Sequence, residues 1–402
     1  MKVLQINSVC GVGSTGRIAN DIASKLREHN IESYIAYGRE SSIKGENILK
    51  IGSKHDYYIH GVLTRMFDNH ALVGSVRATC NLVNHIIKLD PDIIHLHNIH
   101  GYYLNVKILF EYLKKSGKPV VWTLHDCWSF TGHCAYFSYV QCDKWIDGCH
   151  NCPQLKSYPA SAFLDNSRRN YKIKKQLFSS MDNLTIITPS KWLADLVGKS
   201  FLGQYPIKVI PNGVDTNIFK PVDGKSIRRK YNLEHKFVIL GVASVWDKRK
   251  GLNYFMELAN LLEEDCVIMV VGLTEKQITT LPDNIIGIKR TANIYELTEI
   301  YSTADVFVNP TLEDNFPTTN LEALACGTPV ITFDTGGSPE AIDDSCGYVV
   351  KIGNSDDVKK FIDQMKSLGK NGYSYNCVNR VRDRFDKNDR FDEYITLYDQ
   401  LV

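Results

Sequence analysis

Short apolar runs rich in β-branched residues alternate with helix-like patterns from one end of the chain to the other. The candidate strands of the first half lie in the stretches KVLQINS, SYIAYG, DIIHLHN, PVVWTLHD, LTIITPS and IKVIPNG. Those of the second half lie in FVILGVA, CVIMVVG, NIIGIK, DVFVNP, PVITFD and GYVV. Strands that alternate with helices in this way form parallel sheets covered on both faces. The sequence therefore predicts an α/β protein with two Rossmann-like sheets.

The chain has 402 residues, which is too long for one ordinary core and fits two domains of about 150 to 200 residues each. We predict a first domain at 1–205 with a cysteine-rich insertion at 127–155, and a second domain at 206–384. Pro, Gly, Asn and Asp are frequent at 211–226, near the predicted boundary. An amphipathic C-terminal helix at 385–402 is predicted to pack back onto the first domain. Ligands of such sheets bind beyond the carboxyl ends of the strands, so we expect a site in a cleft between the domains.

The charge balance excludes a large electrostatic contact with nucleic acid. Forty-seven basic and 45 acidic residues give a formal net charge of +2, which is no footprint for a phosphate backbone. The N-terminus has no apolar signal core, and no run of about 18 apolar residues occurs, so we expect a cytoplasmic chain. The cysteine count of 11 is odd, and cytosolic thiols are kept reduced, so a disulfide framework is not expected.

The first βα junction carries a glycine fingerprint. Gly11, Gly13 and Gly16 form G-x-G-x-x-G directly after a candidate strand and before a candidate helix, the context of a dinucleotide-binding loop. Such a fold needs an acid about 20 residues further on, and Glu40 could serve. An NAD(P)-dependent oxidoreductase is therefore one function that the sequence allows.

A second constellation follows the strand that ends at Asn309. Asp314 and Glu322 are separated by seven residues, with the start of a short helix between them. Free backbone N–H groups at a helix start favour a phosphate or a polarised sugar hydroxyl, and a carboxylate one turn into the helix could accept both hydroxyls of a ribose. In the alternative interpretation, Thr319-x-x-Glu322 is a capping box and Glu322 is structural.

The order of these features resembles the large retaining glycosyltransferase family with the GT-B fold (glycosyl transferases group 1, family 4). That family has an acidic Glu-x-Phe-Gly loop, seven residues between two acids, and then EA-x-A-x-G-x-PV. The present chain has DNFPTTNLEALACGTPV, together with VIPNGVDTNIFKP, PSKWLADL, KRKGL and TGGSPEAI in the family's order. The resemblance covers essentially the whole chain. It implies an acceptor-binding first domain and a second domain that binds a nucleotide sugar.

The resemblance also implies roles for the acidic loop. Glu322 would bind the nucleotide ribose, and Asp314 stands at the spacing of the family's first acid, with Glu313 beside it as the alternative. Pro317 replaces a loop glycine of the family and removes a backbone N–H donor. The implied donor-binding loop consists of Glu313, Asp314, Asn315 and Phe316.

Basic and glycine-rich loops complete the implied donor site. Lys250 matches the family's lysine on the donor diphosphate, where a cation would stabilise the charge of the leaving group. The family's upstream arginine is replaced by Ser244, and Arg249 is its expected substitute. In the alternative interpretation these residues form a solvated basic loop. Gly13 and Gly16 would let a phosphate approach the backbone.

Histidines cluster at two candidate strand ends of the first domain. His125 matches the family histidine near the transferred sugar, which makes it a candidate catalytic residue together with Lys250, Asp314 and Glu322. Asp126 is expected to fix the local turn or the imidazole tautomer. For His95, His97 and His100 we favour acceptor contact or packing over a metal site.

The cysteine-rich insertion has its own pattern. Cys149-x-x-Cys152 is half of a zinc site, and Cys134 and Cys142 could supply the other half. His133 and His150 are alternative ligands. A structural zinc ion would stabilise a segment with little secondary structure, whereas the alternative is a set of free cysteines or one labile disulfide. No cofactor is expected for catalysis.

We therefore expect a retaining hexosyl- or deoxyhexosyl-transferase that uses a UDP- or GDP-linked sugar. The insertion resembles members from bacterial surface-polysaccharide clusters, which implies a glycan or lipid-linked glycan acceptor and a place in the cytoplasm or peripherally at the inner membrane face. The alternatives are the NAD(P)-dependent oxidoreductase and a sugar-nucleotide-binding protein without catalysis.

Overall fold

A computed structural model describes all 402 residues. The chain divides into two compact units, the first formed by residues 1–211 and 391–402 and the second by residues 212–390. Each unit has its own parallel sheet and its own buried core.

The sheet of the first unit has seven parallel strands in the order β3-β2-β1-β4-β5-β6-β7. Its strands are β1 (Lys2–Asn7), β2 (Glu32–Tyr37), β3 (Ile48–Lys50), β4 (Ile93–Leu96), β5 (Val120–Thr123), β6 (Leu184–Thr188) and β7 (Ile207–Val209). All predicted strands of this half are present. The additional strand, β3, lies at the sheet edge, and its three residues show no alternation of apolar and polar side chains.

The helices of the first unit pack on both faces of this sheet. They are α1 (Gly13–Glu28), α2 (Lys54–Phe67), α3 (Val76–Leu89), α4 (Val106–Ser116), α5 (Ser167–Phe178) and α6 (Lys191–Lys199). In α1, Ile18, Ile22 and Leu26 share one face at four-residue spacing and are buried, as their periodicity predicted. Between a 3-10 turn at Trp128–Phe130 and α5, residues 131–166 form neither helix nor strand.

The second unit repeats the architecture with six parallel strands in the order β10-β9-β8-β11-β12-β13. They are β8 (Phe237–Val242), β9 (Cys266–Val271), β10 (Ile285–Ile288), β11 (Val306–Asn309), β12 (Val330–Phe333) and β13 (Gly347–Val350). The helices are α7 (Lys225–Lys230), α8 (Leu252–Ala259), α9 (Glu275–Ile278), α10 (Ile294–Thr303), α11 (Thr318–Ala325), α12 (Ser355–Leu368) and α13 (Asn371–Arg384). Every strand predicted for this half is present.

The C-terminal helix α14 (Lys387–Leu401) returns to the first unit, as predicted. Its side chains Phe391, Tyr394 and Tyr398 are buried in the same apolar cluster as Val3 and Ile22. Tyrosine hydroxyls on this helix also reach polar groups of the sheet, so the contact is both apolar and hydrogen-bonded. Across the whole chain, every helix lacks either the length or the apolar character that a membrane span requires.

The parallel strands bring chemically active loops together within each unit. In the first sheet β4 and β5 are neighbours, so His97 and His125 follow two adjacent strand ends. In the second sheet β8, β11 and β12 are neighbours. The loops that follow these strands therefore share one edge: the basic turn Lys248–Lys250, the acidic loop 313–316 and the TGGS turn 335–338. The carboxyl edges of the two sheets therefore hold most of the candidate site residues.

Candidate active site

Asp314, in the loop after β11, forms the centre of the charged cluster in the second unit. Its Oδ2 lies 2.5 Å from Lys250 Nζ and 3.9 Å from Arg249 Nη1. Burial alone would raise the pKa of this carboxyl, but the two cations and the backbone N–H of Asn315 hold it below its ordinary value. Asp314 is therefore a carboxylate that is half-buried and paired with cations at neutral pH.

The basic turn Lys248–Lys250 is held against the end of β11. Arg249 Nη1 donates a 2.5 Å hydrogen bond to the carbonyl of Glu313, and the backbone N–H of Leu312 donates to the carbonyl of Arg249 at 2.8 Å. The next residue, Gly251, has φ +76°, and a Cβ there would lie 2.1 Å from the carbonyl oxygen of Pro310. Only glycine allows this approach, which fixes the position of Lys250.

A second glycine holds the acidic loop from the other side. Gly336, in the TGGS turn after β12, has φ +57°, and a Cβ there would lie 1.7 Å from the carbonyl oxygen of Asp314. Thr335 Oγ1 also donates to the carbonyl of Leu312 at 2.9 Å. The TGGS turn therefore supports the backbone that presents Asp314.

Glu322 lies inside α11 and is only 7 % exposed. Its Oε2 accepts a 2.9 Å hydrogen bond from the hydroxyl of Tyr301, on α10. The capping-box interpretation is wrong, because the N-cap of α11 is Pro317 and Thr319 lies within the helix. Nothing in the sequence identified Tyr301 as the partner, since the two residues meet only when α10 and α11 pack together.

A buried polar network underlies the start of α11. Asn309 Nδ2 donates to Asn320 Oδ1 at 2.8 Å, and Asn320 Nδ2 donates to Ser338 Oγ at 3.0 Å. Thr332 and Ser338 share a further hydroxyl contact at 2.6 Å. Because no side chain caps α11, its N-terminus keeps the anion-attracting character of a helix start.

The remaining predicted loop residues are less accessible than Asp314. Glu313, Asn315 and Phe316 are each only 4 % exposed. Phe316 packs in the core of the unit against Phe385, with ring centroids 5.7 Å apart. Asp314 is therefore the more solvent-accessible of the two acids in this loop.

His125, directly beyond β5 in the first unit, is held by a chain of hydrogen bonds. Its Nε2 lies 3.1 Å from His97 Nδ1, and His97 Nε2 lies 2.9 Å from Gln5 Oε1. Gln5 uses its amide nitrogen to donate to the carbonyl of Ala19, so its oxygen must accept from His97. His97 Nδ1 is then an acceptor, and neutral His125 carries its proton on Nε2.

Burial keeps both rings uncharged. Desolvation lowers the pKa of His125 to about 4, and it lowers the pKa of His97 well below its ordinary value. His125 therefore presents its unprotonated Nδ1 at neutral pH and acts as a hydrogen-bond acceptor there.

Asp126 fixes the turn after β5, as expected, but it does not hold the His125 tautomer. One carboxylate oxygen accepts from the backbone N–H of Trp128 at 2.9 Å. The other lies 2.9 Å from His100 Nε2, and His100 Nδ1 lies 2.9 Å from the hydroxyl of Tyr158. Burial would raise the pKa of Asp126, yet His100 and the turn hydrogen bond lower it overall. His97 takes the tautomer-fixing role.

His95 has a packing role. Its ring nitrogens lie 2.8 Å from Thr123 Oγ1 and 2.6 Å from the hydroxyl of Tyr398. Burial lowers the pKa of His95 to about 3. No group of three or more His, Cys, Asp or Glu side chains is arranged as a ready metal site anywhere in the chain, so these histidines form none.

The two glycines of the fingerprint differ in their surroundings. Gly13 opens α1 with φ +63° and has open space where a Cβ would lie. Gly16 is buried, its carbonyl accepts from Gly11 N–H at 2.9 Å, and a Cβ there would lie 3.0 Å from Val9. Gly13 thus faces accessible space, whereas Gly16 packs α1 against its own loop.

Comparison with known proteins identifies the family. Residues 236–371 match the model described as Glycosyl transferases group 1, and residues 15–218 match Glycosyltransferase Family 4. The chain is 26 % identical over 364 residues, 87 % of each protein, to WcaC of Escherichia coli (strain K12), whose name assigns it to colanic acid biosynthesis as a glycosyl transferase.

Two further proteins are similar to the chain. The UDP-Gal:α-D-GlcNAc-diphosphoundecaprenol α-1,3-galactosyltransferase of Escherichia coli is 28 % identical over 223 residues, which cover 50 % of this chain and 56 % of that protein. The crystal structure of Anabaena Alr3699/HepE in complex with UDP superimposes with a TM-score of 0.68 at 16 % identity over 100 % of both chains.

These comparisons confirm the predicted GT-B fold class and do not favour the NAD(P)-dependent alternative that the glycine fingerprint suggested. The family model at 15–218 alone spans slightly more than half of the 402 residues. The charged cluster of the second unit and the histidine chain of the first lie on the strand ends where such enzymes are expected to bind ligands. The chain belongs to glycosyltransferase family 4.

Proposed function

We propose that this chain transfers a hexosyl or deoxyhexosyl unit from a UDP-linked sugar to a lipid-linked glycan, with retention of the α configuration, in surface-polysaccharide biosynthesis. The observation that carries the proposal is the cluster of Lys250, Arg249 and Asp314 beside the uncapped start of α11. Two cations and a helix N-terminus suit a diphosphate, and nearby carboxylates suit sugar hydroxyls.

The donor is proposed to bind along this edge of the second sheet. Lys250, which contacts Asp314 in the free protein, also pairs with the diphosphate. Glu322, which is oriented by Tyr301, accepts hydrogen bonds from the ribose hydroxyls. Asp314 then accepts from hydroxyls of the transferred sugar. Its accessibility, compared with the buried Glu313, makes it the better candidate for that contact.

The uridine base is the choice that the comparisons support best. A relative named as a transferase uses UDP-Gal, and the HepE structure was solved with UDP. A GDP-linked donor is the other candidate. The binding experiment below separates the two.

The proposed reaction needs no protein nucleophile. The acceptor hydroxyl oxygen forms a bond to the anomeric carbon on the face from which the bond to the diphosphate oxygen breaks. The acceptor proton passes to an oxygen of the departing diphosphate, so the products are the α-glycoside and UDP. Lys250 stabilises the charge that develops on the leaving group. Neutral His125 accepts a hydrogen bond from a hydroxyl of the substrate through Nδ1.

A lipid-linked acceptor is supported by an apolar surface on the first unit. Tyr58, Ile59, Val62 and Met66 are exposed on one face of α2, with exposed fractions between 44 % and 67 %. Phe163, 78 % exposed, lies in the loop whose backbone donates to the C-terminal end of α2. We name this set the α2 apolar surface.

Basic side chains accompany the α2 apolar surface. Arg65 lies on α2, and Arg168 and Arg169 begin α5 directly after the Phe163 loop; all three are exposed. An apolar surface flanked by cations suits the interface of an anionic membrane, where apolar burial and electrostatic attraction add. We propose that it docks the chain on the bilayer that carries the acceptor.

Donor binding is tested by thermal unfolding with UDP, GDP, ADP, NAD and NADP. A ligand at about 100 times its dissociation constant adds about 2.7 kcal/mol to the free energy of unfolding, so the midpoint should rise by several degrees. Stabilisation by UDP alone supports the proposal, and stabilisation by GDP alone changes the donor. Stabilisation by NAD or NADP alone overturns the transferase proposal. The anomeric configuration of the isolated product, measured by NMR, tests retention.

Membrane docking is tested by sedimentation with vesicles of phosphatidylglycerol and phosphatidylethanolamine. Ile59→Asp and Phe163→Asp should each lower the bound fraction at least fivefold. Tyr375→Asp, at an exposed apolar side chain of the second unit, is the matched control and should bind as the native chain does. Equal binding by all variants would contradict the docking surface without affecting the donor assignment.

A further inference from the structure

Four cysteines of the insertion line a single cavity. Cys134, Cys142, Cys149 and Cys152 come from successive parts of residues 131–166, which contain neither helix nor strand. All four are free thiols. A segment of this length without secondary structure needs a local means of stabilisation, and the thiols border a group of aromatic side chains at the edge of the apolar core of the first unit.

That aromatic group lies directly beside the thiols. Phe130, Phe137 and Trp145 pack together, and the last two are stacked with ring centroids 5.1 Å apart. Phe137 and Trp145 also line the cavity. The thiols therefore lie at the margin of an apolar cluster, with Cys134 buried and the other three partly exposed.

The thiols already interact with one another and with donors. Cys134 and Cys152 are hydrogen-bonded to each other. Cys149 Sγ accepts a 3.1 Å hydrogen bond from the backbone N–H of Gly132. These side chains do not form a preassembled metal site, so zinc binding requires the thiols to move together.

A buried histidine also lines the cavity. The Nδ1 of His133 is hydrogen-bonded to Asp68. Its Nε2 is buried without a hydrogen-bond partner. Nearby, fully buried Lys174 lies 3.4 Å from the centroid of the Trp128 ring and donates to the carbonyls of Trp128 and Thr131.

The unpartnered Nε2 of His133 lies at the same cavity as the four thiols. A buried polar atom without a partner in the chain calls for an explanation, such as a group bound in the cavity. Four cysteine sulfurs are the ligand set of a structural zinc ion.

We infer that Cys134, Cys142, Cys149 and Cys152 bind one structural zinc ion that stabilises the insertion. Binding replaces four thiol protons with one Zn²⁺, and the protons are released to solvent. The zinc ion would hold together residues 131–166, between the 3-10 turn and α5. It takes no part in sugar transfer. The site is independent of the donor and acceptor proposed above.

The test is the zinc content of the full-length chain, purified without chelator and measured by elemental mass spectrometry. We expect one zinc per chain in the native protein and at least a fivefold lower content in Cys142→Ser and Cys149→Ser. Cys80→Ser, at an exposed cysteine on α3, should keep one zinc. Retention of the full zinc content by either insertion variant would overturn the four-cysteine site.

A second measurement applies if those variants do not fold. The native chain is stripped with chelator and titrated with Co²⁺, and a tetrahedral thiolate site gives intense sulfur-to-cobalt and d–d absorption bands at one equivalent. Absence of both zinc and cobalt binding in a folded native chain would overturn the proposal. So would a Cys134–Cys152 disulfide found by peptide mapping of protein kept under the conditions of purification.

Discussion

The hydroxyl of Tyr301 donates a 2.9 Å hydrogen bond to the carboxylate of Glu322, and both side chains are buried. Tyr301 also packs against Phe219 and Phe307. The hydroxyl is therefore the polar end of a core residue, and it sets the orientation of the carboxylate proposed to bind the ribose.

Tyr301→Phe removes this hydroxyl and keeps the ring. A hydrogen bond to a charged group contributes about 1.5 to 3 kcal/mol, so we expect the KM for the donor to rise about tenfold or more with a smaller change in kcat. Steady-state kinetics with a nucleotide-release assay would measure this. Thermal unfolding serves as the control, because a purely structural hydroxyl would lower the midpoint and leave KM unchanged.

Lys250 is the second residue for which the geometry gives a direct expectation. Lys250→Ala removes the cation 2.5 Å from Asp314 and should lower kcat about 10²- to 10³-fold, the usual cost of removing a donor that stabilises developing negative charge. Arg249 remains 3.9 Å from Asp314, so the unfolding midpoint should fall only slightly.

Lys276→Ala is the matched control for this variant. Lys276 is an exposed lysine of the same unit, on α9, and its removal changes the net charge equally. Comparable loss of kcat in both variants would show that Lys250 acts only through overall charge.

The strands were predictable because alternation of apolar and helical patterns is a local property. Both sheets follow from it. The edge strand β3 was missed because its residues ILK do not alternate between apolar and polar, unlike the residues IKV of the equally short β7. The C-terminal helix was predictable for the same reason, since an amphipathic pattern needs a surface to cover. The local patterns did not predict the order of the strands within each sheet, because that order depends on contacts between distant segments.

The candidate site was predictable as a set of residues but not as a set of contacts. Glu322 was identified by its spacing from Asp314, yet its partner Tyr301 depends on how α10 packs on α11. His125 was identified by its place after a strand, and the role of His97 follows only from the β4–β5 register. Sequence spacing indicates which groups reach an edge, whereas hydrogen-bond partners require the packing of separate elements.

Gly336 provides a test of how the acidic loop is positioned. Gly336→Ala would place a methyl group 1.7 Å from the backbone carbonyl oxygen of Asp314, and backbone cannot move aside as a flexible side chain can. We expect a several-kcal/mol loss of unfolding free energy and at least a tenfold rise in the KM for the donor. Chemical denaturation and steady-state kinetics would measure the two effects.

Gly117→Ala is a control for a left-handed glycine without a close contact. Gly117, at the end of α4, has φ +66° and open space around a Cβ, so its substitution should cost about 1 to 2 kcal/mol and leave KM unchanged. If both variants lost the same stability and kept the native KM, the close contact with Asp314 would have no role in donor binding.

Stability of the first unit should decrease in mild acid because of buried neutral histidines. His60 accepts a hydrogen bond from the backbone N–H of Ala71 through Nε2 and contacts Ser75 through Nδ1. Burial lowers the pKa of His60 from 6.5 to about 4. The unfolded chain therefore takes up the proton first as pH falls, and the stabilisation is complete above pH 6.5 and is lost progressively between pH 6.5 and pH 4.

His60→Gln keeps a side-chain oxygen near the position of Nε2 and removes the titrating group. Between pH 6 and 4.5 the slope of unfolding free energy against pH should become shallower by up to about 1.4 kcal/mol per pH unit. Urea unfolding followed by tryptophan fluorescence would measure it, since Trp122, Trp128, Trp145 and Trp192 all lie in the first unit. His85→Gln, at an exposed histidine of α3, should leave the slope unchanged. An unaltered slope in His60→Gln would mean that another group controls the acid sensitivity.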